Sequence, residues 1–202
     1  MPKAWMRARK KESYYRQAKA AGYRSRSAFK LLQASKRYAF IRGGDVVVDL
    51  GAFPGGWIQA SRSLVGENGF VLGVDLRAIE PLPFPNVASI VGDLRDPALP
   101  QHIRSRLPMA PGVVLSDASP NLSGVWEVDH ARQIELAEKS LEIATELLRP
   151  GGSFFVKVFQ GDMLSDFINR VRTRFDRIRF VKPPASRSRS AEVYVLAAGF
   201  HG

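Results

Sequence analysis

The stretch Val46-Val-Val-Asp-Leu-Gly-Ala-Phe-Pro-Gly-Gly-Trp57 constrains this chain more than any other. Three β-branched residues followed by Asp49 and Leu50 read as a buried strand. Gly51, Pro54, Gly55 and Gly56 then break it into a tight loop ahead of a helix. In an open α/β sheet such a loop sits at the carboxyl edge of the first strand, where nucleotide-like ligands bind. Glycines there remove side chains where the backbone must come close to a ligand. The spacing is G-x-x-x-G-G with a proline inside, not the G-x-G-x-x-G of a pyrophosphate cradle. An uncharged, adenosine-bearing ligand fits it better than a dinucleotide.

Beyond residue 42, short apolar runs alternate with helical patterns, the mark of repeated βα units and a largely parallel sheet. Strands are expected near 46–50, 70–75, 87–91, 112–117, 152–158, 177–182 and 191–198. Helices are expected near 56–65, 96–106, 130–149 and 161–174. The 130–149 helix shows an apolar stripe of Ile134, Leu136, Ala137, Leu141, Ala144, Leu147 and Leu148, stopped by Pro150-Gly-Gly152. The last two strands have no helix between them and Pro183-Pro184 in the turn, which predicts an antiparallel hairpin. Residues 1–42 read as a basic arm containing a helix within 25–37, and residues 43–202 as the main α/β domain. A chain of 202 residues accommodates one such domain.

Composition narrows the function classes. Cysteine is absent, which removes disulfides, thiolate nucleophiles and the commonest zinc sites. His102, His130 and His201 match no ligand spacing, so no metal site is expected. No apolar run approaches the ~20 residues needed to span a bilayer. The basic N-terminus has no apolar core behind it, so it is not read as a signal peptide; a cytoplasmic protein without a membrane partner is expected. The net charge of +11 is divided unevenly: +12 over residues 1–42, −6 over 43–149 and +5 over 150–202. A basic arm and tail around a mildly acidic middle point to a polyanion held on one side. Tyr14, Tyr15, Tyr23 and Phe29 lie among the arm's cations, placed to stack on bases.

Carboxylates end successive strands: Asp49, Asp75, Asp93 and Asp117. One such residue alone is more simply a helix cap. Four on the binding edge point to a ligand. Asp75 is placed for the two ribose hydroxyls of an adenosine, and Asp93 for an adenine amino group. Lys157 lies in Ser153-Phe-Phe-Val-Lys-Val-Phe159, an apolar run that reads as a buried strand. An unpaired ammonium there costs several kcal/mol, so Lys157 must be paired or functional. Glu192 poses the same question on another strand, and pairing Lys157 with Asp117 or Glu192 would answer it.

Five motifs in order, Arg24-Ser-Arg-Ser-Ala-Phe-Lys-Leu31, Asp49-Leu-Gly-Ala-Phe-Pro-Gly-Gly-Trp57, Ser116-Asp-Ala-Ser-Pro-Asn121, Phe155-Val-Lys-Val-Phe159 and Ser188-Arg-Ser-Ala-Glu-Val-Tyr194, resemble the FtsJ-type (RrmJ-type) RNA ribose 2′-O-methyltransferases. The resemblance runs from about residue 11 to 200. It implies a Rossmann-like, seven-stranded sheet with helices on both faces and an antiparallel last strand. It implies S-adenosylmethionine as cofactor, contacted at Gly55, Trp57, Asp75, Asp93 and Asp117. It also implies a catalytic tetrad that falls on Lys30, Asp117, Lys157 and Glu192. Phe53 stands where many relatives have a small residue, and the loop around Trp126 departs from the usual pattern.

Methyl transfer to a hydroxyl is an in-line displacement, so the protein must align three atoms and help remove one proton. Lys157 is assigned as the proton acceptor. An ordinary lysine titrates near roughly 10.4, so a basic amine at neutral pH needs desolvation and a cationic neighbour. Lys30 and a sulfonium can supply that field, while Asp117 and Glu192 orient the two lysines. The expected activity is methylation of a uridine 2′-hydroxyl in large-subunit (23S-type) ribosomal RNA by a monomer. A tRNA anticodon-loop methyltransferase is the nearest alternative, and a non-catalytic RNA-binding ribosome-assembly factor the alternative of another class.

Overall fold

The computed structural model describes residues 13–187 and 190–202. The valine run forms β1 (Val46–Leu50), with all five residues buried, as expected for a strand covered on both sides. Around it stand β2 (Phe70–Asp75), β3 (Val87–Val91), β4 (Val113–Ser116), β5 (Ser153–Phe159), β6 (Phe175–Val181) and β7 (Glu192–Phe200). Their order is β3-β2-β1-β4-β5-β7-β6. β7 is antiparallel to both β5 and β6, and the pairings from β3 through β5 are parallel. The expected seven-stranded sheet with its antiparallel last strand is therefore present. The order reverses between β1 and β4, which opens a crevice at their carboxyl ends.

Helices cover both faces. On one lie α1 (Ala28–Tyr38) and α2 (Gly56–Val65); on the other lie α3 (Leu99–Arg104), α4 (Trp126–Leu147) and α5 (Leu164–Arg172). Residues 13–20 are also helical. Because side chains alternate along a strand, Val47 joins Leu31, Trp57, Leu115, Phe155 and Tyr194 under the first pair. Val48 and Leu50 join Ile134, Phe154, Val156 and Phe167 under the others. α1 buries Ala28, Leu31 and Ala34 at helical spacing, so the helix of the basic arm is bound into this core. Three of the arm's aromatics pack together, Tyr14 and Tyr23 each against Phe29, and Tyr15 stays exposed. The cationic residues 1–11, and residues 188–189 of the last motif, lie outside the described residues.

Helix limits moved where a side chain, not apolar periodicity, sets them. α4 starts at Trp126 instead of 130 because Asp129, inside its first turn, accepts the N–H groups of Ser123 at 2.7 Å and Gly124 at 3.1 Å. Trp126 and Val128 are exposed and extend no stripe, so the pattern hid them. α3 is shorter than 96–106, since Asp96 instead accepts the Ala98 N–H and forms a turn.

Asp49 breaks the apolar run of β1 and is 0% exposed, with neither carboxyl oxygen hydrogen-bonded among the described residues. It lies between Gly73 and Leu115 in the sheet register. Burial above all, and then the nearby Asp117 and Asp75 charges, raise its pKa well above the usual carboxylate range. The folded chain therefore keeps a proton that the unfolded chain releases once the pH exceeds its ordinary pKa. Stability from this group is complete in acid and falls as pH rises through the folded pKa. Asp49→Asn carries no such penalty. Its urea midpoint is expected to gain on the parent from about pH 4 upward; a constant difference between pH 4 and 8 would show a carboxylate already ionised in the fold.

Candidate active site

The crevice at the sheet's reversal point has a volume of about 710 Å³ and is lined by Gly51, Phe53, Asp75, Asp93 and Asp117, among others. Gly51 has φ +74°, and a Cβ there would lie 2.6 Å from the Ala118 backbone. Only glycine lets the β1 loop and the β4 loop meet so closely. Asp75 holds that loop in shape: its Oδ2 accepts the Phe53 N–H at 3.0 Å and its Oδ1 the Arg77 N–H at 3.0 Å. The Arg77 guanidinium stacks 3.7 Å from the Phe53 ring centroid, so Phe53 forms a wall of the crevice beside Asp75. Asp93 accepts the Arg95 N–H and faces the same space.

Three of the four strand-end carboxylates thus converge on one cavity. Asp49 does not; it is sealed beneath it. Gly55 and Trp57 also stand apart from the lining. Trp57 is buried, donates its indole N–H to Ser27 O at 2.8 Å, and packs against Phe155 and Tyr194. Gly55, at φ +109°, is held from behind by Arg24, whose guanidinium donates to the carbonyls of Pro54, Glu80 and Pro81.

The four residues of the expected tetrad meet at the edge of this crevice. The Lys157 ammonium, on a residue 5% exposed, donates to the Asp117 main-chain oxygen at 2.8 Å and lies 3.5 Å from Asp117 Oδ1. Lys30 reaches over from α1 and donates to Glu192 Oε1 at 2.6 Å. The two expected pairings therefore resolve as Lys157 with Asp117 and Glu192 with Lys30. Between them stands Tyr194, which the sequence reading did not assign a role. Its hydroxyl accepts from Lys30 at 3.1 Å and donates to Asp117 Oδ1 at 2.8 Å, joining both pairs into one chain. Tyr194 sits opposite Lys157 in the β5–β7 register, and its ring stacks on Phe155 at 4.8 Å. Burial, followed by the Asp117 and Glu192 charges, raises the phenol well above its ordinary pKa, so it bridges as a neutral hydroxyl. The signal was the period of two: a residue two along from Glu192 shares its sheet face. From the other face, Gln133 donates to Ala118 O and Lys157 O, tying the β4 loop to β5.

A second cavity, of about 610 Å³, opens at the other end of the same sheet face. Arg37, Arg42, Arg149, Arg177 and Arg179 line it, with Asp45 as its one acid. Asp45 pairs with Arg149 at 3.2 Å. Arg177 and Arg179 lie opposite Ala198 and Leu196 on β7, the strand that carries Tyr194 and Glu192.

Comparison with known proteins places the chain in a family and supports the fold. Ribosomal RNA large subunit methyltransferase E of Methanococcus vannielii is 48% identical over 200 residues, covering 99% of this chain and 77% of that protein. The protein of the same name from Methanocaldococcus jannaschii is 46% identical over 203 residues, covering 99% and 83%. Among solved structures, a ribosomal RNA methyltransferase from Plasmodium falciparum superposes with a TM-score of 0.78 at 24% identity, covering 89% of this chain and 100% of that one. Fibrillarin from Aeropyrum pernix, solved with natively bound S-adenosyl-L-methionine, gives 0.60 at 18% identity, covering 87% and 75%. These two structures share the fold. The FtsJ-like methyltransferase profile matches residues 23–200, which span the crevice and all four tetrad positions, and the chain belongs to that S-adenosylmethionine-dependent family.

Proposed function

We propose that the chain methylates a ribose 2′-hydroxyl of large-subunit ribosomal RNA, at a uridine, with Lys157, as the neutral amine formed once its ammonium has given a proton to solvent, accepting the hydroxyl proton. The observation that carries this reading is a lysine buried beside the crevice, held by Asp117 and backed by Tyr194, Lys30 and Glu192. S-adenosylmethionine, when bound, supplies an electrophilic methyl group on a sulfonium. The residues present fit it. Asp75 faces the crevice to accept ribose hydroxyls, Asp93 to accept an adenine amino group, and Gly51 leaves room at the closest approach. Gly55 and Trp57 contribute through their main chain.

Asp117 lines the crevice and holds the Lys157 nitrogen, so the same residue aligns the methyl donor's site with the amine that serves as base. Lys30, at 2.6 Å from Glu192, brings a fixed positive charge to the substrate side, placed to orient the hydroxyl or the adjoining phosphate. Choice of RNA over DNA follows from the reaction itself, because only RNA offers the 2′-hydroxyl. Ribosomal RNA as target rests on the names of the archaeal relatives, and uridine on the motif resemblance. The arginine-lined cavity supports a long polyanion. It opens at the far end of β7, about four residues or ~13 Å from Tyr194 to Ala198, with buried Leu196 between them.

The test is transfer of labelled methyl from S-adenosylmethionine to ribosomal subunits, free ribosomal RNA and tRNA, followed by nucleoside analysis. Label in 2′-O-methyluridine of large-subunit RNA is expected; label in tRNA alone would move the target, and none in any RNA despite cofactor binding would leave a binding protein. Lys157→Ala is expected to slow single-turnover transfer about 10²- to 10⁴-fold while cofactor affinity stays within about twofold of the parent. Retained turnover would remove Lys157 from the chemistry.

Tyr194→Phe keeps the ring and deletes the bridge, leaving Lys30 and Asp117 each one partner short. A loss of about 5- to 100-fold in single-turnover rate is expected, from ~1–3 kcal/mol per unsatisfied buried group, with cofactor affinity unchanged. An unaltered rate would make the bridge a packing feature only. Replacing Arg37, Arg177 and Arg179 together by Gln is expected to weaken RNA binding and to reduce the slope of log K against log salt by about two to three. The same slope in the triple variant would place the RNA elsewhere on the surface.

A further inference from the structure

Trp126 is 45% exposed at the start of α4, although its ring is held by two aromatic neighbours. It stacks nearly parallel to His130, with centroids 5.5 Å apart at 15°, and to Phe159, 6.0 Å apart at 20°. His130 is itself anchored, accepting the Met163 N–H at 3.2 Å through Nε2. Its ring fills the space beside Gly161, where a Cβ would come within 2.7 Å. The loop leading into Trp126 is fixed by Asp129 through Ser123 and Gly124. Leu122, Val125 and Met163 are exposed large apolar side chains on the flanking segments. An apolar cluster of this kind, built on fixed rings, is unusual on a soluble surface unless something covers it.

Its position says what covers it. Phe159 follows Lys157 by two residues, on the same face of β5, and pairs with Glu192 across the β5–β7 ladder. The Phe159 backbone is thus roughly 6.6 Å along β5 from the Lys157 backbone. A ribose held with its 2′-hydroxyl at Lys157 leaves its own base, or the next one, within reach of the Trp126 stack.

We infer that the Trp126 indole, backed by Phe159 and His130, is a stacking platform for an unpaired base beside the methylated ribose. This rests on the ribose-methylation reading and adds a requirement to it: the target strand is single-stranded where it crosses β5. A base in a duplex is stacked on both faces and cannot use the platform. Every base has a π-face, so the platform raises affinity for unpaired RNA without choosing its sequence.

Trp126→Ala is expected to raise KM for a substrate RNA about 5- to 100-fold, with cofactor-induced thermal stabilisation intact. Trp126→Tyr should restore most of the affinity, whereas Trp126→Leu, apolar but not planar, should not. Full rescue by Leu would mark the patch as a docking site for an apolar protein surface and overturn the inference, as would an unchanged KM in the Ala variant. A readout independent of turnover uses Trp5→Phe protein, which retains Trp126 and the buried Trp57. A short unpaired oligoribonucleotide should quench its indole emission, the duplex of the same sequence should not, and adding Trp126→Phe should abolish the effect. Quenching that survives Trp126→Phe would overturn the platform even where the Ala variant misfolds. Failure of the wild-type chain to methylate any RNA, with quenching intact, would instead strike the ribose-methylation reading.

Discussion

The structure depends on holding an ammonium inside a sheet. Lys157 sits mid-strand in β5, flanked by Val156 and Val158. Leaving it unpaired would cost several kcal/mol, so the surroundings are built to receive it. The main-chain oxygen of Asp117 accepts its hydrogen bond, and the Asp117 side chain adds a second contact. Asp117 can do both because β4 ends at Ser116 and turns there, freeing a carbonyl that a continuing strand would have used. That turn is in turn fixed by Gly51 against Ala118 and by Gln133 from the opposite layer. A glycine loop, a strand end and a buried amide all converge on the position of one amine.

Much of this was legible before any coordinates. A valine run followed by closely spaced glycines can hardly be other than a central strand and its ligand loop. A lysine in an apolar run announces that a carboxylate must lie nearby. What sequence could not supply was the pairing, since Asp117 and Glu192 are both compatible partners for Lys157. The answer depends on the antiparallel return of β7, which sets Tyr194, not Glu192, opposite the lysine. The displaced carboxylate then takes Lys30 from α1.

Other features were illegible for physical reasons. Tyr194 lies in Glu192-Val-Tyr-Val-Leu196, where an aromatic ring is ordinary strand filling; its hydroxyl acquires a role only from Lys30 and Asp117, 164 and 77 residues away in sequence. Asp49 looked like a fourth ligand because strand ends usually face the crevice. It lies one residue short of the end, inside a strand buried on both faces. The arginine-lined cavity gathers residues from α1, β6 and the segments around β1 and α4, a juxtaposition that no local pattern encodes. Trp126 escaped the helical pattern because it is exposed, the same property that suits it to stack on something outside the chain.

Asp117 also ties the two halves of the site together. Its carboxylate faces the crevice, while Oδ1 receives the Tyr194 hydroxyl and its carbonyl receives Lys157. Any shift of the β4 loop that widens the crevice must move the lysine's acceptor and the tyrosine's acceptor with it. The loop has little freedom to shift: Gly51 is in contact on one side, and Gln133 bonds Ala118 O and Lys157 O on the other. Alignment of the crevice with the Lys157 nitrogen is therefore a property of one short turn. The remaining freedom lies on the side facing the proposed substrate, where the α4 entry and the open arginine cavity border a site already set.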